Sequence, residues 1–139
     1  MIAFDTDVLT EILLGNAPFV ERAALIPASE QAIPVVVIEE IVRGRLNAIR
    51  QAEAGRGRIT ITRAYELFQQ TLSDFQRLNI LPYAAQAESV FQNWRRHKVR
   101  VSTHDLRIAA ICVDRAATLV SRNRRDFDRV PGLSVEYWA

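Results

Sequence analysis

The chain has 139 residues, of which 49% are hydrophobic and 24% are charged, and its formal net charge is +2. These values are typical of one globular domain that buries roughly two-thirds of its unfolded surface, and they exclude a disordered or low-complexity chain. The longest apolar runs fall short of the ~18 residues that a membrane span requires, and Asp5 and Asp7 interrupt any signal-peptide core, so we expect a cytoplasmic protein.

The basic residues are almost all arginine, with seventeen arginines and the single lysine Lys98. Arginine forks pair with phosphates and carboxylates, so this bias favours a phosphate-bearing or acidic partner. An arginine-rich genome would produce the same bias, and charge alone does not separate the two explanations. The one cysteine, Cys112, lies in an apolar segment and is expected to be a small core residue.

The N-terminus predicts a strand, an acidic turn and a helix. Residues 1–4 are an apolar run that ends in Asp5-Thr6-Asp7, and apolar residues at helical spacing follow as far as Gly15. Asp5 would then lie at the carboxyl end of a strand, where ligands bind in parallel α/β sheets. The alternative is that Asp5 or Thr6 only caps the helix.

A second helix is predicted over residues 17–25, and a strand begins at Ala32 and is short because Pro34 removes a ladder hydrogen bond. The helix that follows has one apolar face, composed of Ile38, Ile41, Val42, Leu46 and Ile49. Glu39 flanks this face, whereas Glu40 points away from it. Gly44 lies nearer to Glu40 and would allow another group to approach closely.

A helical hairpin is predicted next, because Gly55 and Gly57 end this helix and an amphipathic helix runs over residues 65–78. Most of the charged residues on the hairpin or its tip are arginines: Arg43, Arg45, Arg50, Arg56, Arg58 and Arg63. They form either a solvated face or a surface for nucleic acid or a partner protein.

Residues 80–82 are a third candidate strand, and residues 84–94 a further helix. His97 and His104, the only histidines, are not spaced as zinc ligands are, and no cysteine joins them. We expect both to be solvated loop residues, although His104 could touch a bound phosphate.

The C-terminal part predicts a buried helix followed by a buried strand. Ser102 or Thr103 caps the helix, Asp105 falls in its first turn, and a strand at 118–121 leads into an arginine-rich turn that carries Asp126. Residues 130–133 have the composition of a type II turn, and residues 133–137 alternate as a last strand does.

The element order β-α-α-β-α-α-β-α-α-β-β predicts an α/β fold with a mostly parallel central sheet flanked by helices. Asp5, Asp105 and Asp126 then fall at the edge where strands end and helices begin, and Glu40 is a candidate fourth member. Four carboxylates at one site stay ionised only if cations neutralise them. An all-oxygen cluster of this kind suits Mg²⁺ or Mn²⁺.

Five ordered motifs resemble those of the PIN-domain ribonucleases, most closely the VapC-type toxins of bacterial type II toxin–antitoxin modules. They lie at residues 4–9, 38–44, 105–110, 119–127 and 130–133, with Trp138 near the end. Each motif alone is weak, but five in register are specific. The resemblance implies a single PIN-like domain over residues 1–139 with a helical hairpin.

The resemblance also implies an activity, metal-dependent hydrolysis of RNA phosphodiester bonds with Mg²⁺ or Mn²⁺. The positions that match the family's acidic quartet are Asp5, Glu40, Asp105 and Asp126, and Glu40 is chosen over Glu39 by its distance to Gly44. Phosphate contacts would come from Arg43, Arg122, Asn123, Arg124 and Arg125.

Three positions near the quartet are accessory candidates. Asp7 stands where the family usually has Asn, and His104 stands where the family has a small or polar residue. Ser121 stands where the family has Thr, so the hydroxyl group is retained at that position. The implied partners are an RNA substrate, a cognate antitoxin protein and a second copy of the chain. We place the antitoxin contact on the hairpin from residue 40 to residue 78.

Two other functions compete with this one. Asp5 and Asp7 also resemble the aspartyl-nucleophile motif of haloacid-dehalogenase-like phosphatases, in which Asp5 would attack phosphorus. That family needs a downstream lysine and a paired-Asp motif, but Lys98 is the only lysine and no such pair follows. The other alternative is a non-catalytic nucleic-acid-binding module whose acids only cap helices.

Overall fold

The computed structural model describes residues 1–138 and contains five parallel strands in the order β3-β2-β1-β4-β5. The strands are β1 (Ile2–Phe4), β2 (Gln31–Pro34), β3 (Ile80–Leu81), β4 (Thr118–Ser121) and β5 (Val135–Tyr137). The predicted α/β fold with a parallel central sheet is therefore confirmed. The chain leaves β1 towards β2 and later returns to the other side of β1 at β4, so the topological switch point, where such sheets form a crevice, lies between β1 and β4.

Within residues 1–138, seven helices flank the sheet. They are α1 (Thr6–Leu13), α2 (Ala17–Ala24), α3 (Val35–Glu53), α4 (Ile61–Phe75), α5 (Ala85–Arg96), α6 (Thr103–Asp114) and α7 (Arg124–Phe127), with a 3-10 turn at Ala28–Glu30. The short α7 lies where the sequence indicated only an arginine-rich turn. Its four residues carry no apolar periodicity, and the cap that Asn123 provides starts it.

Helix α3 begins directly after Pro34, so its first turn is the run of three valines. Val36 and Val37 are buried and set the inward face of the helix, whereas Leu46 is 42% exposed. At 100° per residue Leu46 lies opposite Val37, so the prediction that Leu46 belongs to the core face was wrong. The same rotation places Glu40 close to the direction of Val36 and leaves it half-buried.

The predicted hairpin is present as α3 and α4. Thr60 caps α4 by accepting a hydrogen bond from the backbone N of Arg63 at 3.2 Å. Arg45 Nε of α3 donates to Thr71 Oγ1 of α4 at 2.9 Å, which ties the two helices together.

Helix α6 forms the centre of the core, and residues 108–112 have no exposed surface. Burial raises the pKa of the Cys112 thiol to about 12, so this cysteine is an inert core residue as expected. Gly132 has φ +81°, which the third position of a type II turn requires. No helix within residues 1–138 is both long and apolar enough to cross a membrane.

Candidate functional site

Asp5 is placed at the carboxyl end of β1 by the sheet itself. Its backbone N donates to Val120 O at 2.9 Å, and its side chain caps α1 by accepting from Thr6 N at 2.8 Å. Ser121 Oγ of β4 donates to Asp5 Oδ2 at 2.7 Å, and Asp5 is only 6% exposed. The capping role and a place in a site therefore coexist in one carboxylate.

The pKa of Asp5 is raised to about 7. Burial is the main cause, and the charges of Asp7 and Asp105 raise it further, while the hydrogen bonds from Ser121 and Thr6 oppose the rise. Near neutral pH this carboxyl is therefore poised between its charged and neutral forms. A nearby positive charge would favour the ionised form.

Asp126 is held relative to Asp5 through Ser121 and Asn123. The backbone N of Asn123 donates to Ser121 Oγ at 3.0 Å, and Asn123 Nδ2 donates to Asp126 Oδ2 at 2.9 Å. Asn123 Oδ1 also accepts from Asp126 N at 3.3 Å. Asn123, which we expected to contact substrate, thus makes contacts that orient an acid, and Ser121 connects the two strand-end acids.

Asp105 lies in the first turn of α6. Ser102 is the N-cap of that helix, and its Oγ accepts from Asp105 N at 3.4 Å. The pKa of Asp105 is raised, mainly by burial and then by the charges of Asp126 and Asp7. Because Ser102 supplies the cap, the carboxylate of Asp105 is not needed to begin the helix.

Glu40 reaches the same region from α3. Its pKa is raised by burial first and by the charge of Asp105 second. The Thr6 hydroxyl lowers this pKa but makes no hydrogen bond of good geometry. Glu40 Oε1 and Thr6 Oγ1 are both buried and lack a hydrogen-bond partner within residues 1–138. An unpartnered buried carboxylate oxygen is costly unless another group binds it.

The four acids come from different elements but sense one another electrostatically. Asp105 raises the pKa of both Asp5 and Glu40, and Asp126 raises that of Asp105. Within the part of the chain that the structure describes, no three His, Cys, Asp or Glu side chains are positioned to hold one ion as they stand. The donor set of carboxylates, with the unpartnered Glu40 oxygen among them, fits a hard divalent cation such as Mg²⁺ or Mn²⁺.

Asp7 lies in the first turn of α1, and its Oδ1 accepts from Val8 N at 2.7 Å. Burial raises the pKa of Asp7, and the charge of Arg122 opposes that rise. Arg122 is itself held in place, since its Nη1 lies 3.6 Å from Glu11 Oε1 and its guanidinium lies 5.4 Å from the centre of the Phe19 ring. Arg122 therefore offers charge to the site from a fixed position.

The other arginines after β4 differ in their contacts. Arg124 stacks on Tyr137 at 4.3 Å from the ring centre. Arg125 is exposed and takes part in none of the ion pairs found among residues 1–138. Of these two cations, Arg125 has the side chain that is more available to a ligand.

His104 is not the solvated loop residue that we expected. The Ser102 cap starts α6 at Thr103, so His104 lies in its first turn, with a side chain that is 31% exposed. His104 Nε2 lies 3.2 Å from Glu39 Oε1, and Arg43 Nη2 lies 2.7 Å from Glu39 Oε2. This chain of three side chains links α6 to α3 beside the acids. His97, in contrast, ends α5 and is exposed, as predicted for a solvated residue.

An open groove of about 660 Å³ extends from the acids along α3. Its lining residues are Glu40, Arg43, Gly44, Asn47, Arg50, Ser102, His104 and Asp105. Sequence reasoning did not assign Asn47 or Arg50 to the site. The signal was present, because both follow Glu40 at helical spacing, at seven and ten residues.

The fold is similar to that of several solved structures. One is VapBC2 from Rickettsia felis bound to a DNA fragment from their promoter, with 22% identity and a TM-score of 0.77 over 100% of both chains. Another is FitAcB from Neisseria gonorrhoeae, with 17% identity and a TM-score of 0.78 over 97% of this chain and 96% of that one. A third is VapBC-5 from Mycobacterium tuberculosis, a member of the VapBC family of toxin–antitoxin systems, with 24% identity and a TM-score of 0.61 over 97% and 94%.

Comparison of the sequence with curated proteins gave no match. The family model described as "PIN domain" matches residues 2–133, a span that includes all four acids and every strand except β5. The chain therefore belongs to the PIN domain family.

Proposed function

We propose that this PIN domain is a metal-dependent endoribonuclease, the toxin of a type II toxin–antitoxin pair, which hydrolyses RNA phosphodiester bonds with carboxylate-bound Mg²⁺ or Mn²⁺. The observation that carries the proposal is the buried Asp5, whose pKa is raised to about 7 by burial and by neighbouring acids. Perturbed carboxyls that converge at a strand edge are more typical of a functional site than of a structural one. We further propose that residues 1–139 form one domain and that the protein acts in the cytoplasm.

Asp5, Glu40, Asp105 and Asp126 would hold the cation. When bound, a divalent cation offsets the repulsion between carboxylates, polarises a phosphate and makes water a stronger nucleophile at neutral pH. Ser121 keeps Asp5 oriented by the hydrogen bond to Oδ2, and Asn123 does the same for Asp126. These bonds reduce the rotation that the acids must undergo to bind a ligand.

On the substrate side, cationic groups would bind the phosphates that flank the scissile bond. Arg125 is exposed beside Asp126, and Arg43 lines the groove beside Glu40. Arg122 and Arg124 are held by stacking on aromatic rings and would act from fixed positions. Contacts to phosphate supply affinity without reading sequence.

A cognate antitoxin is the proposed protein partner, because the VapBC-5 neighbour is a member of a family of toxin–antitoxin systems. We place its contact on the α3–α4 hairpin, where Tyr65 and Leu72 of α4 are 52% and 46% exposed. Replacing both residues with Glu should abolish co-purification with the antitoxin while leaving RNA cleavage by the free protein intact. Retained co-purification of a folded variant would overturn this placement.

The chain is also proposed to form a homodimer, which analytical ultracentrifugation of antitoxin-free protein tests directly.

Cleavage of a mixed RNA pool by purified, antitoxin-free protein tests the activity. We expect cleavage with Mg²⁺ or Mn²⁺, none with EDTA, and strongly reduced cleavage with folded Asp5→Asn or Asp105→Asn variants. A second measurement needs no substrate, because a cation that binds the folded state raises the melting temperature with its concentration. Mn²⁺ should stabilise the wild type and have a smaller effect on both variants.

The outcomes also separate the alternatives. RNA binding that persists after the acids are neutralised, with no cleavage by the intact protein, would favour the non-catalytic binding module. The phosphatase alternative is not favoured, because the PIN domain match extends over residues 2–133. Hydrolysis of a small phosphate monoester that depends on Asp5, with no RNA cleavage, would revive it.

A further inference from the structure

The groove along α3 has two chemically different ends. Glu40 and Asp105 line it next to the other acids, and Asn47 and Arg50 line it about two and three turns further along α3. The lining contains no large apolar side chain, since its eight residues are all polar, charged or glycine. One end therefore suits a cation and the other suits an anion.

We propose that Asn47 and Arg50 form a phosphate-binding track for the single-stranded RNA that flanks the scissile bond. This inference rests on the proposed ribonuclease function and extends it to residues outside the acidic quartet. A polyanion suits this groove better than a protein helix does, because a helix binds through apolar anchors and the lining of this groove has none. The apolar side chains Val35, Ile38, Val42 and Leu46 line a separate groove, which Arg43 and Arg50 also border.

Helix geometry sets the length of the track. Glu40, Arg43, Asn47 and Arg50 fall on one face of α3 at successive turns. At 1.5 Å per residue, Arg50 lies ~15 Å along the axis from Glu40. A stacked strand rises ~3.4 Å per nucleotide, so a strand bound from the acids to Arg50 spans about four nucleotides, and fewer if it is extended.

The side chains along the track differ in availability. Arg43 is paired with Glu39 at 2.7 Å, so part of its charge is already neutralised. Arg50 is exposed and belongs to none of the ion pairs found in residues 1–138. Gly44, between them, leaves the groove floor open, since a Cβ there would meet nothing within 4 Å. A backbone phosphate can therefore approach α3 closely before it reaches Arg50.

The first test is equilibrium binding of a labelled, mixed-sequence single-stranded RNA oligonucleotide to the full chain in EDTA, so that no cleavage is needed. Arg50→Gln should weaken binding several-fold and reduce the slope of log affinity against log salt by about 0.7, the value for one lost phosphate contact on a single strand. Asn47→Arg should do the reverse and increase the slope by about 0.7. Arg58→Gln is the matched control, because Arg58 is exposed on the hairpin tip and lies outside the groove.

The second test shortens the oligonucleotide one nucleotide at a time from each end. The difference in affinity between the wild type and Arg50→Gln should disappear once the RNA on one side of the segment bound at the acids is shorter than about four nucleotides. Shortening the RNA on the other side of that segment should leave the difference in affinity unchanged. Thermal unfolding of each variant controls for folding.

Three results would overturn the proposal. They are equal effects of Arg50→Gln and Arg58→Gln, no effect of Asn47→Arg, and no measurable RNA binding by the wild type. Failure of the ribonuclease function is distinguishable. If Arg50→Gln weakens RNA binding but the wild type cleaves no RNA under any metal condition, the phosphate-binding track is supported and the proposed catalysis is contradicted.

Discussion

The two halves of the candidate site are built differently. On the sheet side, Asp5 and Asp126 are joined through Ser121 and Asn123 by hydrogen bonds of 2.7 to 3.0 Å, and Asp5 is buried. On the helix side, Glu40 has a buried oxygen without a partner in the described residues. The sheet side is therefore organised before any ligand arrives, and the helix side leaves a contact to be made.

This difference predicts how each half responds to change. Substitutions on the sheet side should alter stability and activity together, because the same bonds support the fold and orient the acids. Substitutions on the helix side should alter activity with little effect on stability, because fewer internal bonds depend on them.

Asp5→Asn and Asp105→Asn should each reduce RNA cleavage by roughly 10²- to 10⁴-fold, the scale on which a positioned carboxyl acts. They should differ in stability, because Asp5→Asn removes a buried charge and should raise the melting temperature at pH 8, whereas Asp105→Asn should change it little. Cleavage rates and thermal unfolding at one pH measure both effects. Full activity of either folded variant would remove that acid from the site.

The pH dependence of unfolding tests the buried carboxyl without any substrate. The pKa of Asp5 is about 7 in the folded protein and near 3.8 when unfolded, so the folded state holds the proton more tightly. Stability from this group is present below about pH 4 and is lost as pH rises through about 7. At 1.36 kcal/mol per pKa unit the full loss is at most ~4 kcal/mol. Urea unfolding of metal-free protein between pH 4 and 8 should reveal this decline, and Asp5→Asn should flatten it.

Ser121→Ala should cost about 1 to 3 kcal/mol of stability, since it removes a donor to a buried carboxylate and an acceptor for Asn123 N. Because the Ser121 hydrogen bond lowers the pKa of Asp5, its loss should also move the pH–activity profile to higher pH. Ser121→Thr keeps the hydroxyl and serves as the control. A purely structural role would lower stability and leave the pH profile where it was.

His104→Ala should have the smallest effect. Its contact with Glu39 is partly exposed, and pairs of that kind contribute about 0 to 1 kcal/mol. The rate should change no more than a few-fold, because Arg43 can still pair with Glu39. A loss of cleavage rate as large as that caused by Asp105→Asn would show that the helix side depends on its internal contacts as much as the sheet side does.

Much of the fold could be predicted because apolar runs and their breaks report burial directly. The strand at 118–121, the hairpin and the buried α6 follow from such runs, and the position of Asp5 follows from the strand before it. In contrast, the rotation of α3 depends on which valine packs inward, and the predicted apolar face was right for Ile49, which is buried, but wrong for Leu46, which is exposed. Only the packed structure decides between two overlapping apolar stripes.

The contacts around the acids were harder to predict, because they join residues that are distant in sequence. Ser121 and Asp5 are linked only by the pairing of β1 with β4, and His104 meets Glu39 only because α6 packs beside α3. Asn123 is a case at short range, since its side-chain amide forms hydrogen bonds with Asp126, three residues away. This spacing could have been interpreted from the sequence as a helix cap. A sequence motif identifies the residues of a site, and the packing of the fold determines which atoms each residue contacts.

The pairing of β1 with β4 also has a consequence for biosynthesis. Asp5 and Ser121 are 116 positions apart, and β1 has β4 as one of its two neighbours in the sheet. At ~5 to 20 residues per second, synthesis from Asp5 to Ser121 takes roughly 6 to 23 s. During that interval a nascent chain carries Asp5 without the strand that bears its partner Ser121, and one edge of β1 is unpaired. The acidic site therefore forms only after β4 has been synthesised, so that nascent chains that stop before β4 lack it.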